Sequence, residues 1–260
     1  MATVRGAGTT ALVVVHGFSG GHRHGSFQRL LGWFAEKFLV VAIDLRGHAH
    51  STGNCTLGHL EVLDVDVAVG LARQLGAQKV FTVGFSLGAA CVLRQAALAK
   101  PEVVRPEFDR GLIVKNAPDG VISIGGTSQW YYRGSLRMFM LHFLVGSRLG
   151  SIFVKNNYKV TTDLTTWPDE HHPRRSEIQP LDPRDCVAAI APSPLLIVQG
   201  EKDNYFPREH GEQLHAAAQV DGHQAEYWFV PNMGHAENAM TREITDQVND
   251  WVEAHVRSGK

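Results

Sequence analysis

Residues 79–90 read Lys79-Val80-Phe81-Thr82-Val83-Gly84-Phe85-Ser86-Leu87-Gly88-Ala89-Ala90. Four β-formers, Val80–Val83, run into Gly84-x-Ser86-x-Gly88, and small residues then open a helix. G-x-S-x-G carries meaning when a strand precedes it and a helix follows it, as here. The turn between them is so sharp that its apex residue must take a strained backbone conformation, which lifts the Ser86 hydroxyl above the sheet. There is no space for side chains two positions either side, hence glycine at 84 and 88. Ala89 and Ala90 let the helix lie close to its strand.

Working outward, short apolar runs alternate with amphipathic stretches, the pattern of parallel βαβ units with helices on both sheet faces. Upstream lie Ala11–Val15, ending at His16-Gly17-Phe18-Ser19-Gly20-Gly21, and Phe38–Ile43, ending at Asp44-Leu45-Arg46-Gly47-His48. Downstream lie Gly111–Val114, ending at Asp119, then Leu195–Val198, ending at Gly200-Glu201-Lys202-Asp203. Ala225–Val230 follows, ending at Met233-Gly234-His235. A short strand at Thr3–Arg5 is a further, weaker signal. Between the strands, Phe27, Leu30, Leu31 and Phe34 stripe one helix. Leu60, Leu63, Val67, Leu71 and Leu75 stripe a second, closed by Gly76, and Met240, Ile244, Val248, Trp251 and Val252 stripe the last.

At 260 residues the chain fits one α/β domain and can bury a core without disulfide or metal staples. Lys+Arg 25 against Asp+Glu 26 argues against a general nucleic-acid-binding or acidic-membrane-binding surface. Cys55, Cys91 and Cys186 are sparse and lack metal-ligand spacing, so they read as reduced thiols. Ala11–Val15 is too short to span a membrane, and MATVRGAGTT lacks the features of a signal peptide. These features imply a cytoplasmic location without integral membrane association, and Asn54-Cys55-Thr56 is then a chance sequon. Among the 14 histidines, the pairs 22/24, 48/50 and 171/172 lack the spacing of a zinc hydrolase site. No phosphate loop or dinucleotide fingerprint is present, and no metal or cofactor is expected.

Ligands of an open parallel sheet bind beyond the carboxyl ends of its strands. Those ends carry His16-Gly17-Phe18, Ser86, Asp203 and His235. With HGF at 16–18, DLRGH at 44–48, GFSLG at 84–88, GEKD at 200–203 and MGH at 233–235, the chain resembles the α/β-hydrolase superfamily over nearly its whole length. The order Ser…Asp…His is that of the superfamily. The resemblance implies a mostly parallel open sheet of about six strands, helices on both faces and an inserted helical cap, here at about 120–191. In chemical terms Ser86 is the nucleophile, which needs a base within hydrogen-bond reach. His235 is that base, and Asp203 orients it. The resemblance also implies an oxyanion hole made by the backbone N–H groups of Phe18 and Leu87. Asp119 is an alternative acid, at a position some superfamily members use. Asp44 is read as a loop anchor, through Arg46 or nearby N–H groups. Two departures stand out: Ala49 where a glycine usually follows the histidine, and fewer strands before His-Gly than most members have.

The cap governs substrate choice in the superfamily. It holds Trp130-Tyr131-Tyr132 and Met138–Leu144, followed by a polar tail at 167–183. Residues 120–162 carry Arg133, Arg137, Arg148, Lys155 and Lys159 with no acid. This suggests an apolar acyl pocket under a basic rim, with His16, Trp130, Phe139 and Phe143 as candidate lining residues. An anionic thioester carrier would suit the rim, and the competing reading is a solvated helix face. The expected function is a serine hydrolase of small-molecule carboxylic esters or thioesters, acting through an acyl-enzyme. The alternatives are C–C bond or amide cleavage by the same residues, or a non-catalytic receptor on the same fold. A lipase working at a membrane surface is a third, and an exposed apolar cap face would mark it. Oligomeric state is left open.

Overall fold

The computed structural model describes residues 1–100, 112–163, 181–220 and 225–258. Seven strands form one sheet: β1 (Ala2–Arg5), β2 (Thr10–Val15), β3 (Leu39–Ile43), β4 (Lys79–Phe85), β5 (Gly120–Ile124), β6 (Leu195–Gly200) and β7 (Glu226–Val230). Their spatial order is β1-β3-β2-β4-β5-β6-β7. Every neighbouring pair is parallel except β1 with β3, where Ala2 opposes Ile43 and Arg5 opposes Val40. The expected mostly parallel sheet of about six strands is present, with an antiparallel edge strand added at the weak N-terminal signal.

Strands buried on both faces read as continuous apolar runs because alternate residues serve opposite cores. Leu12, Val14, Phe81, Val83 and Ile122 meet Phe27, Leu30, Leu31 and Phe34 of α1 (Gly25–Ala35). The same core takes in Ile244, Val248, Trp251 and Val252 from the C-terminal helix Arg242–Ser258. Val13, Val15, Val41 and Val80 face the other way, against α2 (Glu61–Gln74) and α3 (Leu87–Leu98). All twelve residues of α3 are buried. A Cβ on Gly88 would fall on the carbonyl oxygens of Val15 and His16, which is the close approach that glycine permits.

Three local expectations change. The apolar run at 111–114 is not the fourth parallel strand of the sequence reading: residues 112–114 lie outside the sheet, and Gly111 lies outside the described residues. Leu112 and Val114 instead pack with Val62 and Leu98, while Ile113 is exposed. The strand is the next run, Gly120–Ile124, with Val83 opposite Ile122 and Ile122 opposite Leu196. Asp119 thus stands at the amino edge of the sheet, where it accepts from Val80 N (2.8 Å) and pairs with Arg73 (2.5 Å). It is remote from the carboxyl ends and cannot orient His235. On α2, the buried face is Val62, Val65, Val69 and Ala72, while Val67 and Leu75 are exposed. Finally, because Gly120 belongs to β5, the segment before β6 starts after Ile124. It carries α4 (Leu136–Val145) and α5 (Arg148–Tyr158), whereas most of the polar tail at 167–183 falls outside the described residues.

Candidate active site

Ser86 sits between β4 and α3 with φ +52° and ψ −114°, the strained apex the motif demanded. Its N–H is tied to Ile124 O at 3.0 Å, so neighbouring β5 holds the strained residue in place. Ser86 Oγ lies 2.9 Å from His235 Nε2, and His235 Nδ1 lies 2.7 Å from Asp203 Oδ2. Asp203 follows β6 and His235 follows β7, so three strand ends converge on one chain of hydrogen bonds. The carboxylate accepts at Nδ1, so that nitrogen carries the proton and Nε2 faces the serine as acceptor.

Asp203 is fixed on every side. Its Oδ1 accepts from Tyr205 N (2.9 Å) and Phe206 N (3.0 Å), and its Oδ2 also accepts from Gln199 Nε2 (3.2 Å). Its side chain is fully buried, and that of His235 is mostly so. The imidazole stacks on Tyr205, with ring centroids 4.3 Å apart, and Phe206 meets it edge-on at 5.7 Å. Two rings and a buried carboxylate leave the imidazole little freedom to turn from Ser86.

A cavity of about 940 Å³ opens over these groups. Gly17, Phe18, Ser86, Leu87 and His235 form its floor, and its walls include Trp130, Phe139 and Phe143. Leu87 is the first residue of α3, where helix N–H groups have no intrahelical acceptor. Of the candidate lining residues, Trp130 is buried and anchored by its indole N–H to Leu181 O (2.8 Å), whereas Phe139 and Phe143 reach both cavity and solvent.

His16 is not brought to the cavity. It lies fully buried behind the Gly17-Phe18 turn, where Nε2 accepts from Leu45 N (3.1 Å) and Nδ1 meets Gly17 O at 2.7 Å. Burial pushes its pKa down to about 4, and that of neighbouring His48 to about 3. A neutral His16, protonated on Nδ1, therefore straps the 16–18 turn to the end of β3. Asp44 takes N–H groups as expected, accepting from His22 N at 2.7 Å, with His22 Nδ1 also at 2.7 Å. Arg46 is not its partner: that guanidinium pairs with Asp64 (2.7 Å). Ala49 keeps a positive φ of 46° where superfamily members usually have glycine. Among the described residues no group of three His, Cys, Asp or Glu is placed to hold a metal ion. The pair His171/His172 lies outside them. Cys55, Cys91 and Cys186 are all buried.

Sequence reasoning missed Glu237. Two residues beyond His235, its carboxylate lines the cavity and faces Gly17 N at 3.4 Å. Burial pushes its pKa above the ordinary carboxylate range. The available signal was the spacing alone: an acid two positions past a candidate base.

Comparison with known proteins agrees with this architecture. The alpha/beta hydrolase family matches residues 12–249. The Pyrococcus furiosus esterase Pf2001 superposes with TM-score 0.67 at 17% identity, covering 95% of this chain and 82% of that one. Est1E from Butyrivibrio proteoclasticus with ferulic acid bound gives 0.66 at 16%, covering 99% and 95%. At such identities the likeness is one of fold. The dihydrolipoyllysine-residue acetyltransferase component of the acetoin cleaving system of Pseudomonas putida is 26% identical over 254 residues. That match takes in 97% of this chain, which spans 65% of the length of that curated relative.

Proposed function

The chain belongs to the alpha/beta hydrolase family, and on that premise we propose that it is a serine hydrolase of carboxylic esters or thioesters. The observation that carries the reading is the unbroken path from Ser86 Oγ through His235 to buried Asp203, opening into a largely apolar cavity. His235 Nε2 takes the serine proton as Oγ attacks the carbonyl carbon. The tetrahedral oxyanion turns to the N–H groups of Phe18 and Leu87, each worth about 3 kcal/mol of transition-state stabilisation. His235 then protonates the leaving alcohol or thiol, and the acyl group stays on Ser86. Water, deprotonated by the same nitrogen, releases the acid. Asp203 remains ionised throughout and stabilises the imidazolium. Proteins that share this fold include an esterase, Pf2001, which is in keeping with ester chemistry.

The test is covalent labelling by a fluorophosphonate probe, combined with turnover of p-nitrophenyl esters and acyl thioesters of increasing chain length. Ser86→Ala should lose labelling and keep the wild-type melting temperature. Labelling retained in that variant refutes the nucleophile. One labelling event per chain with no multiple turnover on any substrate would make the protein a receptor.

A further inference from the structure

The helices α4 and α5 carry two sets of apolar residues. Met138, His142 and Val145 of α4 and Gly150 and Val154 of α5 face inward. A second stripe at i, i+3, i+4, i+7 faces outward on α4: Leu136, Phe139, Met140 and Phe143, from 53% to 77% exposed. On α5 the outward set is Leu149, Ile152 and Phe153, with Leu149 82% exposed. Scattered exposed apolar residues are ordinary, but seven large ones on two consecutive helices form a patch that calls for a partner.

Charge selects the partner. Residues 120–162 hold five Lys and Arg and no Asp or Glu. At 100° per residue, Arg148 and Lys155 line up on one flank of the outward face of α5, Lys159 follows at its C-terminal cap, and all three are exposed. An apolar face flanked by a cationic row is the form of a helix lying in a membrane interface. A second copy of this chain would set like charges against each other, whereas an anionic bilayer attracts them. The two helices meet at 105°, and among the described residues no single helix is long and apolar enough to cross a membrane. At ten and eleven residues each is too short to span a bilayer alone, and the 105° bend keeps the pair from forming one straight span, which favours contact with the surface. The outward residues of α4 also line the cavity, so its apolar mouth would open toward the lipid.

We propose that the outward face of α4 and α5 docks the protein on an anionic lipid surface. Docking does not depend on the reaction at Ser86 and is measured without it. The full chain is sedimented with vesicles of equimolar phosphatidylglycerol and phosphatidylcholine, or of phosphatidylcholine alone. Its mass in solution is measured by light scattering. The wild type should be monomeric and partition at least tenfold better onto the anionic vesicles. Arg148→Gln/Lys155→Gln/Lys159→Gln should remove that preference, at about fivefold per cation. Leu149→Ser/Ile152→Ser/Phe153→Ser should weaken binding to both vesicle types by more than tenfold. None of these six positions lines the cavity, so an unchanged melting temperature and unchanged hydrolysis of a soluble ester check the fold. Absent binding, binding equal in the variants, or binding indifferent to lipid charge overturns the proposal. So does a dimer that the apolar variant dissolves while the wild type ignores vesicles, which would assign the face to a second copy.

Discussion

Replacing Asp203 by asparagine should cost the hydrolysis of a p-nitrophenyl ester about 10³- to 10⁴-fold in kcat/KM, and the structure dictates why. The carboxylate accepts four hydrogen bonds: two backbone N–H groups at Oδ1, and Gln199 and His235 at Oδ2. Asparagine has one acceptor oxygen and one NH₂. If the oxygen keeps the Oδ1 position, the NH₂ confronts two donors, Gln199 Nε2 and His235 Nδ1–H. The imidazole relieves the conflict by moving its proton to Nε2, where it points at Ser86 and can no longer act as base. The flipped amide is worse, because the NH₂ then faces the N–H groups of both Tyr205 and Phe206. At 1.36 kcal/mol per decade the expected loss is about 4–5 kcal/mol of transition-state stabilisation. Asp119→Asn is the matched control. Asp119 bonds only at the amino edge of the sheet, to Arg73, Lys79 and Val80 N, and its side chain is a quarter exposed. Its loss should leave kcat/KM within twofold and reduce stability by about 1 kcal/mol, a shift of a few degrees in melting temperature. An Asp203→Asn enzyme within tenfold of wild type, or a larger loss from Asp119→Asn, would refute the assignment.

Two further expectations concern stability. Gly88→Ala drives a methyl into the carbonyls of Val15 and His16, which are backbone and cannot yield, so urea denaturation should show a loss of about 3 kcal/mol or more. A midpoint unchanged from wild type would contradict the close approach. Acidification should also destabilise the fold, because burial lowers the pKa of His16 and His210 to about 4 and of His48 to about 3. Between about pH 4 and the ordinary histidine value near 6.5, the unfolded chain binds protons that the folded chain refuses. Their contribution is complete above that window and lost as pH falls through it, by up to about 1.4 kcal/mol per pH unit for each histidine. Urea midpoints at pH 7.5 and 5.0 check this, and a midpoint that holds or rises on acidification counts against it.

The parts of the fold legible in sequence are those where one local rule has one solution. Gly84-x-Ser86-x-Gly88 between a β-run and small residues admits a single backbone path, and the glycines identify it through the Cβ clash alone. The strand ends at Asp203 and His235 were legible because a buried strand must stop at a polar turn. Ambiguity entered where two solutions compete. The runs at 111–114 and 120–124 are both apolar and adjacent, and only pairing with Val83 and Leu196 selects the second. That shift of register carried Asp119 from one edge of the sheet to the other and removed it as an acid. Helix α2 misled for a related reason. Its core face includes Glu61, satisfied by nearby Thr56, and Asp66, satisfied by the distant Lys115 and Asn116 N–H groups, while Val67 and Leu75 face solvent. Hydropathy alone assigns those residues to the wrong sides.

The β5–β6 segment exposes a limit of periodicity itself. A 3.6-residue repeat fixes which side chains share a face, but not what the face meets. Phe139 and Phe143 read as pocket residues in the sequence because they lie in the aromatic- and methionine-rich stretch of the cap, which suggests an apolar acyl site. They do line the cavity, yet Phe143 is 77% exposed. Both statements hold because the cavity is open on that side, so its wall and the outer surface are the same residues. A substrate chain entering there exchanges water for Leu136, Phe139, Met140 and Phe143 before it reaches Ser86. Apolar contact at the mouth acts on substrate and transition state alike. Truncating these side chains should therefore raise KM for long-chain esters with little change in kcat, while changes at Asp203 act on kcat. Entry and chemistry are thus carried by different residues, and a kinetic comparison of the two sets would separate them.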